Sequence, residues 1–220
     1  MFRKNCLICN SKNIIDIIDL GMHPFADTFI SKSKIHLSEK VYPLIVQLCE
    51  NCGNIQLSCE TIPEDRYQDN EYSYTSSNSN YSINYWSQYS KEVLKLFSNT
   101  SKLKILEIGS NDGLLLGLLK KYGHDVLGID ASPAMNELAS KKNINTKLGI
   151  FDEKFSKDIL IEYGKFDLII ANNVFNHADN PQSFFKAACH LLEDKGMFVF
   201  ESPYWLNSIN SGKFDQIYHE

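Results

Sequence analysis

Residues 103–113 read Leu-Lys-Ile-Leu-Glu-Ile-Gly-Ser-Asn-Asp-Gly, and the fold class follows from this stretch. A short apolar run stops at Gly109, and the next residues, LLLGLLKKYG (114–123), space their apolar side chains as a helix does. A buried strand therefore feeds a helix through a glycine-containing turn. Downstream the alternation repeats. VLGI (126–129) is a second strand. SPAMNELASKK (132–142) is a helix with Ser132 as N-cap and Pro133 at its first position. A short strand at 146–148, a helix over about 153–163, the strand FDLIIA (166–171), the helix PQSFFKAACHLLED (181–194) and the strand GMFVFES (196–202) complete the series. Strands separated by helices predict an α/β fold with a parallel, doubly wound, Rossmann-like sheet.

The first turn also carries chemistry. Gly109 and Gly113 let the backbone approach a ligand, and the helix start offers N–H donors. Asp130 ends the second strand twenty-one residues after Gly109, where a carboxylate accepts from both hydroxyls of a ribose. Only two glycines are present, spaced G-x-x-x-G, so a dinucleotide pyrophosphate is disfavoured. S-adenosylmethionine (SAM), which has no pyrophosphate, suits the turn better. Glu107 is placed to face its ammonium group. The candidate cofactor residues are thus Glu107, Gly109, Ser110, Asn111, Asp112, Gly113 and Asp130, joined by Asn172 and Asn173 after the fourth strand. Phe151 is a candidate neighbour for the adenine.

Upstream, two Cys-x-x-Cys pairs, Cys6/Cys9 and Cys49/Cys52, are separated by thirty-nine residues. Each pair puts two sulfurs on one tight turn, and four thiolates suit a tetrahedral zinc ion. Short β-like runs (14–20, 41–49 and 54–57) surround the pairs, and so small a segment needs metal to supply part of its folding energy. The expected organisation is a zinc-binding domain over 1–68, a Tyr-rich loop and entry helix over 69–100, with the helix at 83–97, and the sheet domain over 101–203. Residues 204–220 are expected to begin a further domain. Cys59 and Cys189 read as buried, inert thiols.

The 220 residues are 43% hydrophobic and 12% aromatic, enough for a sizeable core. Net charge is −5 and no Lys/Arg run is long enough for a nucleic-acid patch, so nucleic-acid binding is not expected despite the four cysteines. No apolar run suggests a membrane span or a signal peptide, and a cytoplasmic protein is expected.

The collinear order of CxxC, Leu20-Gly21-x-x-Pro24, a second CxxC before Gly53, EIGSNDG (107–113), ANNVFNH (171–177), ESPYW (201–205) and FDQIYHE (214–220) resembles the zinc-containing sugar C-methyltransferases. That family methylates a ring carbon of nucleotide-linked keto-deoxysugars. The resemblance implies a zinc-binding domain, a SAM-dependent methyltransferase domain and a C-terminal domain. Family members continue the last motif with a second histidine, whereas this sequence stops at Tyr218-His219-Glu220. A fragment, a frameshifted remnant, or half of a split enzyme that works with a partner chain is therefore expected. In the last two cases the chain is a SAM- and zinc-binding module without activity of its own.

Methylating carbon requires an enolate, formed by removing a proton beside the ketone. The protein must supply a base, a donor for the developing oxyanion, and placement. His177 lies just after the fourth strand, at the edge where such sheets bind ligands. The resemblance places His177 and the Tyr218-His219-Glu220 segment at the active site. Tyr72, Tyr74 and Tyr204 are the candidate substrate-binding phenols, with a nucleotide sugar as the expected partner.

Overall fold

The computed structural model describes residues 2–26, 29–62, 66, 74–97, 102–215 and 217–219. Its chain forms two compact units: Met1–Ser73 with Asp179–Pro181 and Pro203–Glu220, and Tyr74–Ala178 with Gln182–Ser202. The entry helix thus belongs with the sheet, and residues 203–220 group with the N-terminal segment where a separate domain was expected. Tyr72 and Glu220 lie outside the described residues.

The first unit is built on an antiparallel sheet of β1 (Ile14–His23), β2 (Tyr42–Cys49) and β3 (Ile55–Leu57), in that order. Register shifts at Asp16/Ile18 and Asp19/Met22 break the β1–β2 ladder. Its apolar cluster is small: Leu44, Val46 and Ile217 are buried, with Ile18, Leu20, Ile55, Leu57 and Trp205 against them. Trp205 opens a short helix (Trp205–Asn210), so the last residues of the chain complete this core.

The second unit is a five-stranded parallel sheet flanked by helices. In chain order it comprises α1 (Asn80–Lys95), β4 (Lys104–Ile108), α2 (Leu114–Lys121), β5 (Asp125–Asp130), α3 (Pro133–Lys141) and β6 (Thr146–Leu148). There follow α4 (Glu153–Tyr163), β7 (Phe166–Asn172), a 3₁₀ turn (Phe175–His177), α5 (Pro181–Leu191) and β8 (Leu192–Glu201). The strand order is β6-β5-β4-β7-β8. The chain winds outward from β4 to β6 and then returns to β7, so a topological switch point lies between β4 and β7. Open parallel sheets take ligands in the crevice beyond the strand ends at such a point.

Local chemistry sets the element ends. Ser79 Oγ accepts from Ser82 N to cap α1, three residues earlier than the sequence pattern predicts. Ser132 caps α3 with Pro133 behind it, as expected. Asp152 Oδ1 accepts from Phe155 N at 2.6 Å to cap α4. The helix expected over 181–194 ends at Leu191. Leu192 pairs with Phe166, while Met197 already pairs with Leu168, so the ladder bulges between them. Pairing with β7 therefore overrides the helical pattern of Leu192–Asp194.

Strand pleating sends alternate residues of β4 to opposite faces. Leu106 and Ile108 join the cluster that contains Ile129, Ile159, Phe166 and Phe184. Ile105 joins the other, with Leu115, Leu119, Leu168, Ile170 and Val93 of α1, and with Met197, Val199 and Tyr89 packed against it. Being buried on both faces explains the unbroken apolar run of β4.

Candidate active site

Three rows of the α1-facing surface change character at their carboxyl ends. On β4, β7 and β8 the apolar positions Ile105, then Leu168 and Ile170, then Met197 and Val199 are followed, in the same pleat, by Glu107, Asn172 and Glu201. Helix α1 meets these ends with a stripe at i, i+4, i+8: Tyr85, Tyr89 and Val93. Tyr89 Oη donates to Asn172 Oδ1 at 2.9 Å. Tyr85 Oη donates to Glu201 Oε2. Asn173, in the left-handed region at φ 54°, donates from Nδ2 to Glu201 Oε1 at 3.1 Å and from its backbone to Glu201 O at 2.6 Å. Burial and then the hydrogen bond to Glu201 push the Tyr85 phenol above its usual range. Sequence reasoning passed over Tyr85, Tyr89 and Glu201.

Glu107 is almost wholly buried, and Oε2 has no hydrogen-bond partner among the described residues. Burial first, then the nearby charges of Asp130 and Asp112, hold its carboxyl well above the usual carboxylate range. Asp130 Oδ2 accepts from Asn111 N at 2.7 Å, and Oδ1 accepts from Ser132 N at 2.9 Å. These two bonds oppose the upward push that burial gives the Asp130 carboxyl.

The glycine turn uses its own donors. Gly109 N and Ser110 N donate to Ile129 O, Asn111 N to Asp130, Asp112 N to Asn111 Oδ1, and Gly113 N to Ser110 O. Every backbone N–H from Gly109 to Gly113 is thus used within the unit, which agrees with a turn that does not cradle a pyrophosphate. The side chains of Asn111 and Asp112 turn instead to residues 74–77. Asn111 Oδ1 accepts from Ser76 N at 2.8 Å, and its Nδ2 donates to Tyr74 O at 3.1 Å. Asp112, 1% exposed, accepts from Ser77 N and Oγ and from Lys142 Nζ at 2.9 Å. Two candidate cofactor residues thus fasten the segment before α1 onto the turn.

Gly109 has φ +70°, and a Cβ there would lie 2.3 Å from Val174 Cγ2. Gly113 starts α2 in the left-handed region at φ 74°. Gly128, opposite Glu107 on β5, leaves room for Ser110, whose Oγ would lie 2.4 Å from an added Cβ. His177 sits half-buried on the 3₁₀ turn, and Asn176 Nδ2 lies 3.1 Å from its Nε2.

Tyr204, Tyr218 and His219 belong to the first unit. Tyr204 precedes the short helix and is 64% exposed, and Tyr218 is 39% exposed. His219 is 2% exposed, its ring lies among Phe25 and Tyr42, and Nε2 donates to Pro43 O at 3.0 Å. Burial holds its imidazole below the usual histidine range. Cys189 is exposed rather than buried.

The four cysteines converge. Their sulfurs all lie within 4.8 Å of one another, with Cys6–Cys52 and Cys9–Cys49 at 3.6 Å. A tetrahedral zinc–thiolate site with bonds near 2.3 Å needs sulfurs about 3.8 Å apart, so the donor set fits zinc. The two hooks share a geometry. Asn10 N donates to Cys6 O and Gly53 N to Cys49 O, with Asn10 at φ 58° and Gly53 at φ 75°. The Ser11 backbone and the Asn51 amide pull the Cys9 thiol down to about 6. Despite a lowering bond from the Asn54 backbone, burial and the other three thiols push Cys52 up to about 12.

The SAM-type site passes a similar test. Buried polar atoms without a partner among the described residues gather around the strand ends: Glu107 Oε2, Ser110 Oγ, Asp112 Oδ1 and Asn172 Nδ2. Glu107, Asp112 and Asp130 crowd three acidic groups together, of which Asp112 is paired with Lys142, and a cationic ligand would relieve the repulsion that, after burial, holds the proton on Glu107. Among the described residues no helix is long and apolar enough to cross a membrane.

A family model described as "Methyltransferase domain" matches residues 81–218, and one described as "Putative zinc binding domain" matches residues 6–67. The C-methyltransferase NovU of Streptomyces niveus is 23% identical over 215 residues, covering 98% of this chain and 51% of NovU. The ubiquinone biosynthesis O-methyltransferase of Pelagibacter ubique is 34% identical over 98 residues, 44% of this chain and 41% of that protein. The PH0226 protein of Pyrococcus horikoshii has a solved structure that matches with a TM-score of 0.52 and 21% identity, covering 64% of this chain and 66% of that one. The chain spans about half the length of the curated relatives it matches.

Proposed function

We propose a function from one premise: the chain belongs to the methyltransferase-domain family, with a Rossmann-like sheet of the SAM-dependent kind and a four-cysteine zinc module. On that premise it is a SAM-dependent C-methyltransferase that acts on a nucleotide-linked 4-keto-deoxysugar. The observation that carries the carbon-methylating reading is the extent of the NovU likeness, which runs through the zinc module as well as the sheet and covers 98% of the chain. The O-methyltransferase likeness covers 44%.

In this reading SAM supplies an electrophilic methyl group. Asp130 faces the ribose, the Gly109–Gly113 turn gives backbone clearance, and Glu107 with Asn172 and Asn173 takes the amino-acid end. His177 is the proposed base for the proton beside the ketone, since its ring is half-buried at the ligand-binding edge of the sheet. His219 holds its Nε2 proton on Pro43 O, so a base role for it, beside Tyr218 and Glu220, requires the ring to leave the Phe25–Tyr42 cage. Tyr74 and Tyr204 are partly exposed phenols able to donate to sugar oxygens, a role proposed also for Tyr72. A partner chain that contributes to the same reaction belongs to this proposal.

The test is methyl transfer from labelled SAM to nucleoside-diphosphate 4-keto-6-deoxysugars in D₂O. Label should enter the sugar, and the proton beside the ketone should exchange with solvent in a His177-dependent way. Cofactor binding with neither transfer nor exchange would favour a SAM- and zinc-binding module that depends on a partner. Transfer to an oxygen acceptor instead would overturn the carbon-methylating reading.

A further inference from the structure

The bond between Tyr89 and Asn172 does something the sheet does not need. With Oδ1 held by the phenol at 2.9 Å, the Asn172 amide nitrogen is turned to the other side. There it is buried with no partner among the described residues. An unmet buried donor is costly, and a native structure keeps one where something else completes it. On the neighbouring strand Glu107 pairs opposite Ile170, two residues before Asn172 in the same α1-facing row. Glu107 Oε2 is likewise buried and unpartnered among the described residues. An open donor and an open acceptor therefore stand on adjacent strand ends. Their polarity complements an α-amino acid, with its carboxylate toward the amide and its ammonium toward the glutamate.

We infer that Tyr89 is a positioning residue, whose hydroxyl fixes the Asn172 amide so that Nδ2 receives the carboxylate of the cofactor's amino-acid end. The inference rests on the SAM-binding reading above. The phenol is itself held in place. Trp86 packs edge-on at 5.4 Å, and the Tyr85 ring is stacked at 6.4 Å. Without the hydroxyl the amide is free to turn over, and its carbonyl oxygen would then face a carboxylate.

The test uses two ligands and needs no turnover. S-adenosylhomocysteine carries the amino-acid end, and 5′-methylthioadenosine lacks it. Calorimetry on Tyr89→Phe should show binding of the first weakened roughly three- to tenfold, the usual range for one lost neutral hydrogen bond. Binding of the second should be unchanged. Asn172→Ala should lose at least as much, and the double variant no more than Asn172→Ala alone, because Tyr89 acts through Asn172. Asn172→Asp keeps an acceptor for Tyr89 and removes the donor, so it reads the same contrast if Tyr89→Phe does not fold. Equal weakening of both ligands, no weakening of either, or additive losses would overturn the inference alone. A wild-type chain that binds neither ligand would overturn the cofactor reading and the inference with it.

Discussion

Replacing Gly109 by alanine isolates what the glycine turn demands of the chain. Two costs meet at this position. The backbone sits at φ +70°, where an L-residue carries a penalty of about 1–2 kcal/mol. The new methyl would also lie 2.3 Å from Val174 Cγ2, with Cγ1 at 3.4 Å and Cβ at 3.5 Å. Overpacking of this kind costs about 1–3 kcal/mol, so Gly109→Ala should lose roughly 2–5 kcal/mol in all. Gly113→Ala is the control. Its φ is +74°, but its methyl would meet Ala139 and Ile144 only at 3.2 Å, and the loss should stay near the backbone term of about 1–2 kcal/mol. Adding Val174→Ala to Gly109→Ala removes the clash and leaves the backbone penalty, giving a favourable coupling of about 1–3 kcal/mol. The assay is urea unfolding followed by Trp86 in a Trp205→Phe background, since these two tryptophans lie in different units. A Gly109→Ala variant within about 0.5 kcal/mol of wild type, or additive losses in the double variant, would refute the reasoning.

Three further expectations concern the charges and the sulfurs. Glu107 keeps its proton in the folded state to higher pH than in the unfolded chain, so its contribution favours folding below the usual carboxylate range and declines as pH rises toward the raised value. Glu107→Gln should therefore melt higher than wild type by a margin that widens as pH rises above the usual carboxylate range, while binding S-adenosylhomocysteine more weakly; parallel melting curves would contradict this. Lys142→Met removes the cation from the buried Asp112 carboxylate, leaving it the Ser77 donors, and should cost about 1.5–3 kcal/mol, whereas Lys141→Met, which loses an exposed pair with Glu137, should change stability far less. Equal losses in chemical denaturation would remove Asp112 from its anchoring role. Cys49→Ser replaces a fully buried sulfur and should abolish stoichiometric zinc by mass spectrometry while leaving the circular dichroism of the α/β unit in place; retained zinc would count against the four-sulfur site.

Much of the fold was legible because its signals are local. The β4 turn, the Ser132 cap and the spacing of the cysteine hooks are each contained in a few residues. What escaped is long-range. Tyr85 and Tyr89 stand on a helix at core spacing and read as packing residues until the ends of β7 and β8 are placed beside them. One signal could have found Glu201: the alternation Met197, Val199, Glu201 runs parallel to Leu168, Ile170, Asn172, and both rows turn polar at the same level. Leu192–Asp194 read as helix because the apolar period continues past Leu191, and only pairing with Phe166 ends it. The burial of His219 escaped because Phe25, Tyr42 and Pro43 lie some 180 positions away in the chain. The fastening of residues 74–77 by Asn111 and Asp112 escaped because a turn sequence does not tell which neighbour claims its oxygens.

The discontinuity of the first unit bears on how the polypeptide is made. On a translating ribosome the metal hooks emerge early, but Trp205, Ile217 and His219, which cover Leu44, Val46 and Tyr42, arrive only after the whole parallel sheet has left the exit tunnel. Until then the nascent three-stranded ribbon has an uncovered apolar face, and metal binding at the four cysteines is the folding energy already open to it. Metal scarcity should therefore harm yield during synthesis more than it harms protein already folded.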